Sequence, residues 1–253
     1  MNTCRTRGLV LCVKDHGEAD KIVTFFSPDL GKVTGIAKGA KRSKQRFVNK
    51  LEEFTLLEIL YRPARRDTLL FIVEAELKDA FLSLRRDFRR YIVGMLVVEL
   101  VLRFTREHDP DSAIFSLLHW AMVSLENGEE PLQVGTLFQL RLLGAVGYQP
   151  ELDRCGFCGR NVSAGASFTL HPATGSLMCD TCRKGSAEPL APLSVQTLKF
   201  LEYAQRLELK NMDRLRLPRK NAQEALLFLH RYTQHLLQHD ITSWQQLKTL
   251  ISA

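Results

Sequence analysis

The segment KIVTFFSPDLGKVTGIA, residues 21–37, decides the fold of the N-terminal part of the chain. It contains two runs rich in β-branched and aromatic residues, with the turn-forming residues Ser27 to Gly31 between them. Runs of this kind, bounded by turn formers, are typical of neighbouring strands in an antiparallel sheet. The segment therefore predicts two short strands in succession.

Three similar runs extend this pattern from residue 8 to about residue 76. In chain order the five runs read LVLCV, KIVTFF, KVTGIA, FTLLEILY and TLLFIVEA. The breaks between them are Asp15 to Gly17, Ser27 to Gly31, a cationic stretch, and Pro63 to Asp67. Five short strands within roughly eighty residues favour a small OB-like barrel, although an SH3-like barrel would give a similar pattern.

After Leu77 the hydrophobic period changes from that of strands to that of helices. The expected fold is α+β and multidomain, with an OB-like nucleic-acid-binding domain over residues 1–80. Residues 81–253 are expected to form an α-helical domain with an inserted zinc-ribbon-like element at about 150–190. Helix starts are indicated by Asp87, Asp109-Pro110, Pro131 and Ser194. The tetrapeptide NAQE, Asn221 to Glu224, resembles a capping box at the start of a further helix.

The positive charge of the chain is concentrated at one end. The 253 residues are 45% hydrophobic and 25% charged, which is typical of a globular protein, and the formal net charge is +7. Residues 1–50 hold 11 Lys and Arg against 4 Asp and Glu, and the remaining residues hold 24 of each. This distribution predicts a localised surface for a polyanion.

The densest part of this charge is IAKGAKRSKQRF, residues 36–47, which contains no acidic residue. Small residues within it allow close approach of a phosphate backbone, and its aromatic residue offers a face for a base. The alternative is a solvated loop, but the concentration of charge favours nucleic-acid binding. The candidate contact residues are Lys38, Lys41, Arg42, Lys44, Arg46 and Phe47.

Four cysteines form two Cys-x-x-Cys pairs, Cys155 with Cys158 and Cys179 with Cys182, separated by twenty residues. Two such pairs predict one structural Zn²⁺ in a closed tetrahedral shell of thiolates. Between them, FTLHPATGSLM predicts two short strands about a turn from Pro172 to Gly175, as in a zinc ribbon. His171 in this segment is expected to be an ordinary surface residue.

An enzymatic interpretation of the cysteines, as part of a zinc hydrolase or deaminase, has less support. His16-Gly17-Glu18 matches half of the zinc deaminase signature, but Asp153-Arg154 stands where that signature has a proline before the first cysteine. The sequence also lacks the common phosphate-loop, dinucleotide, nucleophile-elbow and zinc-protease motifs. We therefore expect a protein without catalytic activity. A zinc-ribbon protein that binds RNA or acts in translation is a further alternative.

Membrane insertion is not expected from the sequence. The most apolar stretch, YIVGMLVVELVLRF, is interrupted by Glu99 and carries Arg103 near its end, so it predicts a buried helix. Paired Cys-x-x-Cys motifs and two single cysteines, Cys4 and Cys12, suit a reducing compartment. The expected location is the cytoplasm.

Two long segments resemble the RecO family of bacterial DNA repair and recombination mediators. GEADKIVTFFSPDLGKVTGIAKGAKRSKQRF, followed by LEEF, is similar to its N-terminal signature, and LLGAVGYQPELDRCGFCG is similar to its zinc-binding signature. The chain departs from the family pattern at Glu53, where proline is usual, and at Ser176, where a second glycine is common. Neither departure touches the cysteines or the cationic run.

The resemblance implies a set of partners and a place at the nucleoid. Members of this family bind single- and double-stranded DNA, anneal complementary strands, and act with RecR to load RecA onto strands coated by single-strand-binding protein. They also dock the acidic C-terminal tail of that coating protein on the helical domain. One candidate pocket for this tail is a cluster of cations, although a solvated loop explains them equally well. The cluster consists of Arg214, Arg216, Arg219 and Lys220.

Overall fold

The computed structural model describes residues 3–63, 69–163, 166–184 and 192–252. The strands of the first part are β1 Cys4–His16, β2 Asp20–Ser27, β3 Gly31–Ala37, β4 Leu56–Arg62 and β5 Leu70–Asp79. They close into a barrel in the order β1-β2-β3-β5-β4. The predicted OB-like barrel is confirmed. Of the expected break at Pro63 to Asp67, residues 64–67 lie outside the described residues.

Closure of the barrel depends on one short parallel pairing. Strands β3 and β5 pair in parallel, with Gly35 opposite Leu70 and Ile36 opposite Phe71, whereas the other pairings are antiparallel. Along β3, buried and half-buried residues alternate, as expected for a strand with one face in a core. The barrel interior is filled by branched and aromatic side chains, including Val23, Phe25 and Ile72.

The second part consists mainly of helices. These are α1 Leu82–Arg86, α2 Phe88–Phe104, α3 Ser112–Glu126, α4 Pro131–Ala145, α5 Asp180–Arg183, α6 Val195–Arg206, α7 Arg219–Leu237 and α8 Thr242–Ser252. A small sheet has the order β6-β8-β7, from β6 Glu151–Cys155, β7 Phe168–His171 and β8 Ser176–Cys179. In the described parts of the chain, no helix has both the length and the apolar character that crossing a bilayer would require.

Most of the predicted helix starts are confirmed. The Asp87 carboxylate accepts hydrogen bonds from the first backbone N–H groups of α2, α4 begins at Pro131, and Ser194 caps α6. The expected start at Asp109-Pro110 is two residues early, since Asp111 is the residue that caps α3. The apolar stretch with Glu99 forms α2 and is buried, as predicted.

The capping box predicted at Asn221 to Glu224 is wrong. Helix α7 begins earlier, at Arg219 directly after Pro218, so Asn221 already lies within the helix. The Glu224 carboxylate turns to the start of α6 instead, where it accepts hydrogen bonds from the backbone N–H of Ser194 and, at 2.7 Å, from its hydroxyl. Glu224, which the sequence pattern predicts as a cap of its own helix, therefore caps the neighbouring helix α6 instead.

Glutamates from neighbouring helices cap two further helix starts. Glu99 of α2 accepts hydrogen bonds from Thr242 and Ser243 N–H at 2.9 and 2.8 Å at the start of α8. Glu126 of α3 accepts them from the first N–H groups of α1 at 3.1 and 2.9 Å. Burial opposes ionisation of both carboxyls, but these N–H donors outweigh it and lower their pKa. Carboxylates from neighbouring helices therefore hold three helix starts in place.

The barrel and the helices meet at the start of β3. The Lys32 ammonium donates hydrogen bonds to the Leu102 and Thr105 carbonyl oxygens at 2.9 and 2.6 Å, which satisfies the C-terminal end of α2. Gly31 has φ of 69°, and a Cβ at this position would lie 2.2 Å from the Asp109 carbonyl oxygen. Backbone thus packs directly on backbone at this junction.

We expect Gly31→Ala to destabilise the protein by roughly 2 kcal/mol or more, because the left-handed backbone and the Asp109 contact both oppose a side chain. Gly17→Ala is the matched control, since Gly17 has φ of 55° but nothing within 4 Å of a Cβ. Thermal unfolding of both variants measures the difference. Equal losses would contradict the close junction.

A buried histidine at the α7–α8 contact predicts acid sensitivity. The His230 ring stacks on Trp244 with centroids 3.7 Å apart, and burial lowers its pKa to about 4, with smaller effects of Lys248, Asp240 and Arg231. Because the unfolded value is about 6.5, stability is expected to fall as the pH drops from about 6.5 to about 4. Unfolding midpoints across this window, compared with those of His230→Phe, measure the effect. Equal pH dependence would exclude His230 as its source.

Candidate nucleic-acid interface and metal centre

The cationic run forms the first part of the connection between β3 and β4. Gly39, at φ of 71°, turns the chain into a short 3-10 turn, Ala40–Arg42. The turn lies beside the β1–β2 turn, because Gly39 N–H donates to Asp20 Oδ1 at 2.8 Å and Lys41 N–H donates to the Ala19 carbonyl oxygen at 2.9 Å. The five cationic side chains of the run are all exposed. We call residues 38–47 the basic loop.

Two carboxylates, Asp15 at the end of β1 and Glu18 in the β1–β2 turn, lie next to the basic loop. Lys41 Nζ is 2.9 Å from an Asp15 carboxylate oxygen, and an Arg42 guanidinium nitrogen is 3.5 Å from a Glu18 oxygen. Exposed pairs of this kind contribute little to stability, but a bound phosphate would have to compete with them. Acidic side chains from outside the loop therefore balance part of its positive charge, which the sequence of the loop alone does not show.

The expectation that Phe47 offers a face to a base is wrong, because its ring is only 3% exposed. It packs in the barrel core, and the Arg46 guanidinium lies 5.1 Å from its centroid. Arg46 also donates hydrogen bonds to the Val73 and Lys38 carbonyl oxygens at 3.3 and 3.5 Å. Phe47 thus anchors the basic loop to the barrel.

The outer face of β2, β3 and β5 carries the side chains that the sequence analysis missed. Ile22 pairs with Ile36 and Ile36 with Phe71 across the three strands, and all three are half-buried. The Arg62 guanidinium lies 5.5 Å from the Phe71 ring. Alternation within TLLFIVEA could have identified Phe71, since Leu70 and Ile72 point into the core. This face adjoins the basic loop, which begins two residues after Ile36.

The two Cys-x-x-Cys pairs converge at one point. Their four sulfur atoms all lie within 4.8 Å of one another, so the cysteines could hold a metal ion. Cys158 and Cys179 Sγ are 3.7 Å apart, close to the roughly 3.8 Å edge of a tetrahedron with metal–sulfur bonds of about 2.3 Å. Cys155 ends β6, Cys179 ends β8 and Cys182 lies in α5.

Backbone N–H groups favour the ionised form of Cys155 and Cys179, whereas the hydrogen bonds of Cys182 with the Cys158 and Cys179 sulfurs raise the pKa of Cys182 to about 12. Burial opposes ionisation of Cys155, but N–H groups of Cys179, Cys158 and Phe157 outweigh it and lower its pKa to about 6. The Cys182 N–H in the same way lowers the pKa of Cys179. Since thiolates bind metals, the knuckles are preorganised for an ion.

The predicted hairpin between the pairs is confirmed. Strands β7 and β8 pair antiparallel, and the Thr174 and Gly175 N–H groups donate to the His171 carbonyl oxygen across the turn. A Cβ on Gly175 would lie 2.4 Å from the Tyr232 hydroxyl, so the turn packs closely on α7. Within the expected element at about 150–190, residues 164–165 and 185–190 lie outside the described residues.

No histidine or carboxylate joins the metal-competent cluster in the described ranges, which consists of the four cysteines alone. His171 Nδ1 lies 3.2 Å from the Thr174 hydroxyl, and its ring meets Phe157 edge-on. His16 ends β1, and Glu18 lies in the following turn of the barrel. The deaminase reading therefore has no support from this geometry.

The four cations considered for partner binding differ in their surroundings. Arg216 lies 3.5 Å from Glu129 and donates at 2.6 Å to the Asp213 carbonyl oxygen, and Arg219 donates to the Leu250 carbonyl oxygen. Arg214 and Lys220 are exposed. A different cavity, of about 450 Å³, is lined by Arg103 and Arg106, by Asp109 and Asp111, and by apolar side chains. Its apolar lining includes Phe104, Ile114, Tyr148 and Leu236.

Comparison with known proteins gives one consistent result along the chain. The family model "Recombination protein O N terminal" matches residues 1–81, and "Recombination protein O C terminal" matches residues 85–245. DNA repair protein RecO from Syntrophus aciditrophicus is 30% identical over 246 residues, covering 97% of this chain and 95% of that protein. The protein of the same name from Syntrophobacter fumaroxidans is 34% identical over 216 residues, covering 85% of each.

Proposed function

This chain belongs to the RecO family of DNA repair proteins, and from this premise we propose that it is a recombination mediator without catalytic activity. It binds single- and double-stranded DNA and anneals complementary strands. With RecR, it helps load RecA onto strands coated by single-strand-binding protein. Residues 1–80 hold the DNA, and residues 81–253 dock the protein partners.

The observation that carries this function is the exposed basic loop beside the outer face of β2, β3 and β5. Lys38, Lys41, Arg42, Lys44 and Arg46 bind backbone phosphates without reading sequence. Phe71 takes the stacking role first expected of Phe47, because its ring lies on the outer face beside Arg62. OB-like barrels bind oligonucleotides on this same face.

One Zn²⁺ on Cys155, Cys158, Cys179 and Cys182 supports the structure. Four thiolates fit a closed tetrahedral shell, which leaves no position for a reacting water. When bound, the ion would cross-link the Cys-x-x-Cys turn at the end of β6 to the one at the end of β8. The hairpin then keeps its contact with α7.

Docking of the coating protein is assigned to the helical part. Residues 91–253 carry 16 Lys and Arg against 16 Asp and Glu, too balanced for a second broad DNA surface. A cavity that contains two arginines offers cations to an acidic tail, although Asp109 and Asp111 also line it, so Arg103 and Arg106 join Arg214 and Lys220 as candidates.

We expect the protein to anneal complementary strands coated by single-strand-binding protein, and to lose this ability when the acidic tail of the coating protein is deleted. Arg103→Ala with Arg106→Ala should abolish annealing of coated strands and leave annealing of bare strands unchanged. Fluorescence-detected strand pairing measures both rates. Arg214→Ala with Lys220→Ala tests the other candidate location. Annealing of coated strands that needs no tail would contradict the mediator mechanism.

A further inference from the structure

A second concentration of cations lies where the barrel leads into the helices. The stretch RRDFRR, residues 85–90, has four arginines and a single carboxylate. It spans the end of α1 and the start of α2. We call residues 82–91 the α1–α2 corner. No role in the function proposed above uses it.

The four arginines divide into two pairs. Arg85 is structural, because it donates to the Glu53 carbonyl oxygen and lies 5.9 Å from the centroid of the Phe54 ring. Arg90 lies against the end of α3, 3.5 Å from the Glu126 carbonyl oxygen. Arg86 and Arg89 are exposed, and no salt bridge involves either of them within the described residues.

The carboxylates near the corner already accept hydrogen bonds from backbone N–H groups. Asp87 accepts hydrogen bonds from the backbone N–H groups of Arg89 and Arg90 at 2.9 and 3.1 Å, so it caps α2. Glu126 is occupied in the same way at the start of α1. With four arginines against one carboxylate, the net charge of the corner is positive.

Between the two exposed arginines lies Phe88, which is 67% exposed. Among the described residues it is the most exposed large hydrophobic side chain, and Leu82 and Tyr91 beside it are 53% and 36% exposed. An exposed aromatic ring with two exposed arginines close in the sequence offers the two kinds of contact that single-stranded nucleic acid uses, base stacking and phosphate binding.

The corner is fixed to the same connection that carries the basic loop. Arg85 holds the Glu53 carbonyl oxygen, and the Tyr91 ring meets the Phe54 ring edge-on at 5.5 Å. Glu53 and Phe54 lie in the β3–β4 connection, six and seven residues after the end of the basic loop at Phe47. The corner is therefore held against the later part of the same connection that carries the basic loop.

We propose that the α1–α2 corner is a second contact for single-stranded DNA, with a base stacked on Phe88 and flanking phosphates bound by Arg86 and Arg89. The inference rests on the DNA binding proposed above. It extends the DNA-holding surface beyond residue 80 and lengthens the strand that one molecule covers. Charge complementarity selects a polyanion, because the exposed ionic groups of the corner are cations.

A tryptophan reporter tests the contact directly in the full chain. Phe88→Trp should show fluorescence quenching when oligothymidylate is added, whereas Tyr203→Trp, which replaces an aromatic residue that is 58% exposed on α6, should not. The wild-type signal of Trp120 and Trp244 is subtracted. Quenching at position 88 by a protein partner but not by DNA would overturn the proposal.

Affinity on two strand lengths separates the corner from the basic loop. The variant Phe88→Ala, Arg86→Gln, Arg89→Gln should bind a strand of about 25 nucleotides roughly tenfold more weakly than wild type, and a strand of about 6 nucleotides equally well. Its salt slope on the longer strand should be shallower by about 1.4, for two lost phosphate contacts. Equal binding of the long strand would overturn the corner alone. Failure of the wild-type chain to bind either strand would overturn the proposed function as well.

Discussion

Cys179→Ser is expected to lower the thermal unfolding midpoint by about 10 °C or more. The apparent binding free energy of a structural zinc ion is about 10–16 kcal/mol, similar to the whole stability of a domain, and each kcal/mol shifts the midpoint of a chain this size by about 2–4 °C. The Cys179 side chain is fully buried at the end of β8, so serine would also leave a hydroxyl in an apolar cluster. Calorimetry of both proteins measures the shift.

Metal removal and a second cysteine variant control this result. A strong chelator should lower the wild-type midpoint to nearly that of Cys179→Ser and leave the variant unaffected. Cys12→Ser changes a half-buried thiol in β1 and should cost only a few degrees, about 2–4 °C. Cobalt substitution should give the spectrum of four thiolates. A chelator without effect, or a spectrum with a water ligand, would contradict the structural site.

Charge reversal of the basic loop is expected to have the largest effect on DNA binding. With about five phosphate contacts, the slope of log K against log salt should be roughly −3 to −4 for single strands. The triple variant with Lys41→Glu, Arg42→Glu and Lys44→Glu should lose three phosphate contacts. The slope should therefore flatten to about −1.4, and the affinity for DNA should fall about a hundredfold or more. The loss should be equal for all sequences, because phosphate contacts carry no sequence information. Fluorescence anisotropy at several salt concentrations measures the slope.

The neighbouring carboxylates provide a control of opposite sign. Asp15→Asn with Glu18→Gln releases Lys41 and Arg42 from their ion pairs and should strengthen DNA binding a few fold. A reversal of exposed cations on the helical part, at Lys199, Arg206 and Lys210, should leave binding unchanged. An unaltered slope in the loop variant would exclude the basic loop. Tighter binding of RNA than of DNA would favour the alternative RNA-binding function.

The features that the sequence predicted well are local. Strands between turn formers, helix starts at Asp87 and Pro131, and the hairpin between the cysteine pairs each depend on neighbouring residues. The convergence of four cysteines follows from two tight turns, one at the end of β6 and one at the end of β8, on neighbouring strands of one small sheet. Local patterns suffice where the responsible contacts lie within one or two elements.

The features that the sequence did not predict depend on contacts between distant segments of the chain. Phe47 was expected at the surface, yet its side chain fills the barrel core because the basic loop folds back over the strands. The Asn221 to Glu224 pattern resembled a helix start, but Glu224 serves a different helix. The exposure of Phe88 has no sequence signal either, since a phenylalanine that opens an apolar helix ordinarily predicts core.

The carboxylate caps on α1, α6 and α8 have a consequence for how the protein opens. The Glu99 carboxylate accepts a hydrogen bond from the backbone N–H group of Thr242, which lies 143 residues later in the chain. Helix α8 therefore keeps this cap on its first turn only while it stays beside α2. Detachment of such a helix leaves both a charged carboxylate and several N–H groups without partners, which makes partial melting unfavourable. The first backbone amides of α8 are thus expected to exchange with solvent as slowly as those of α2. Native-state hydrogen exchange should then detect the two helices as one cooperative unit.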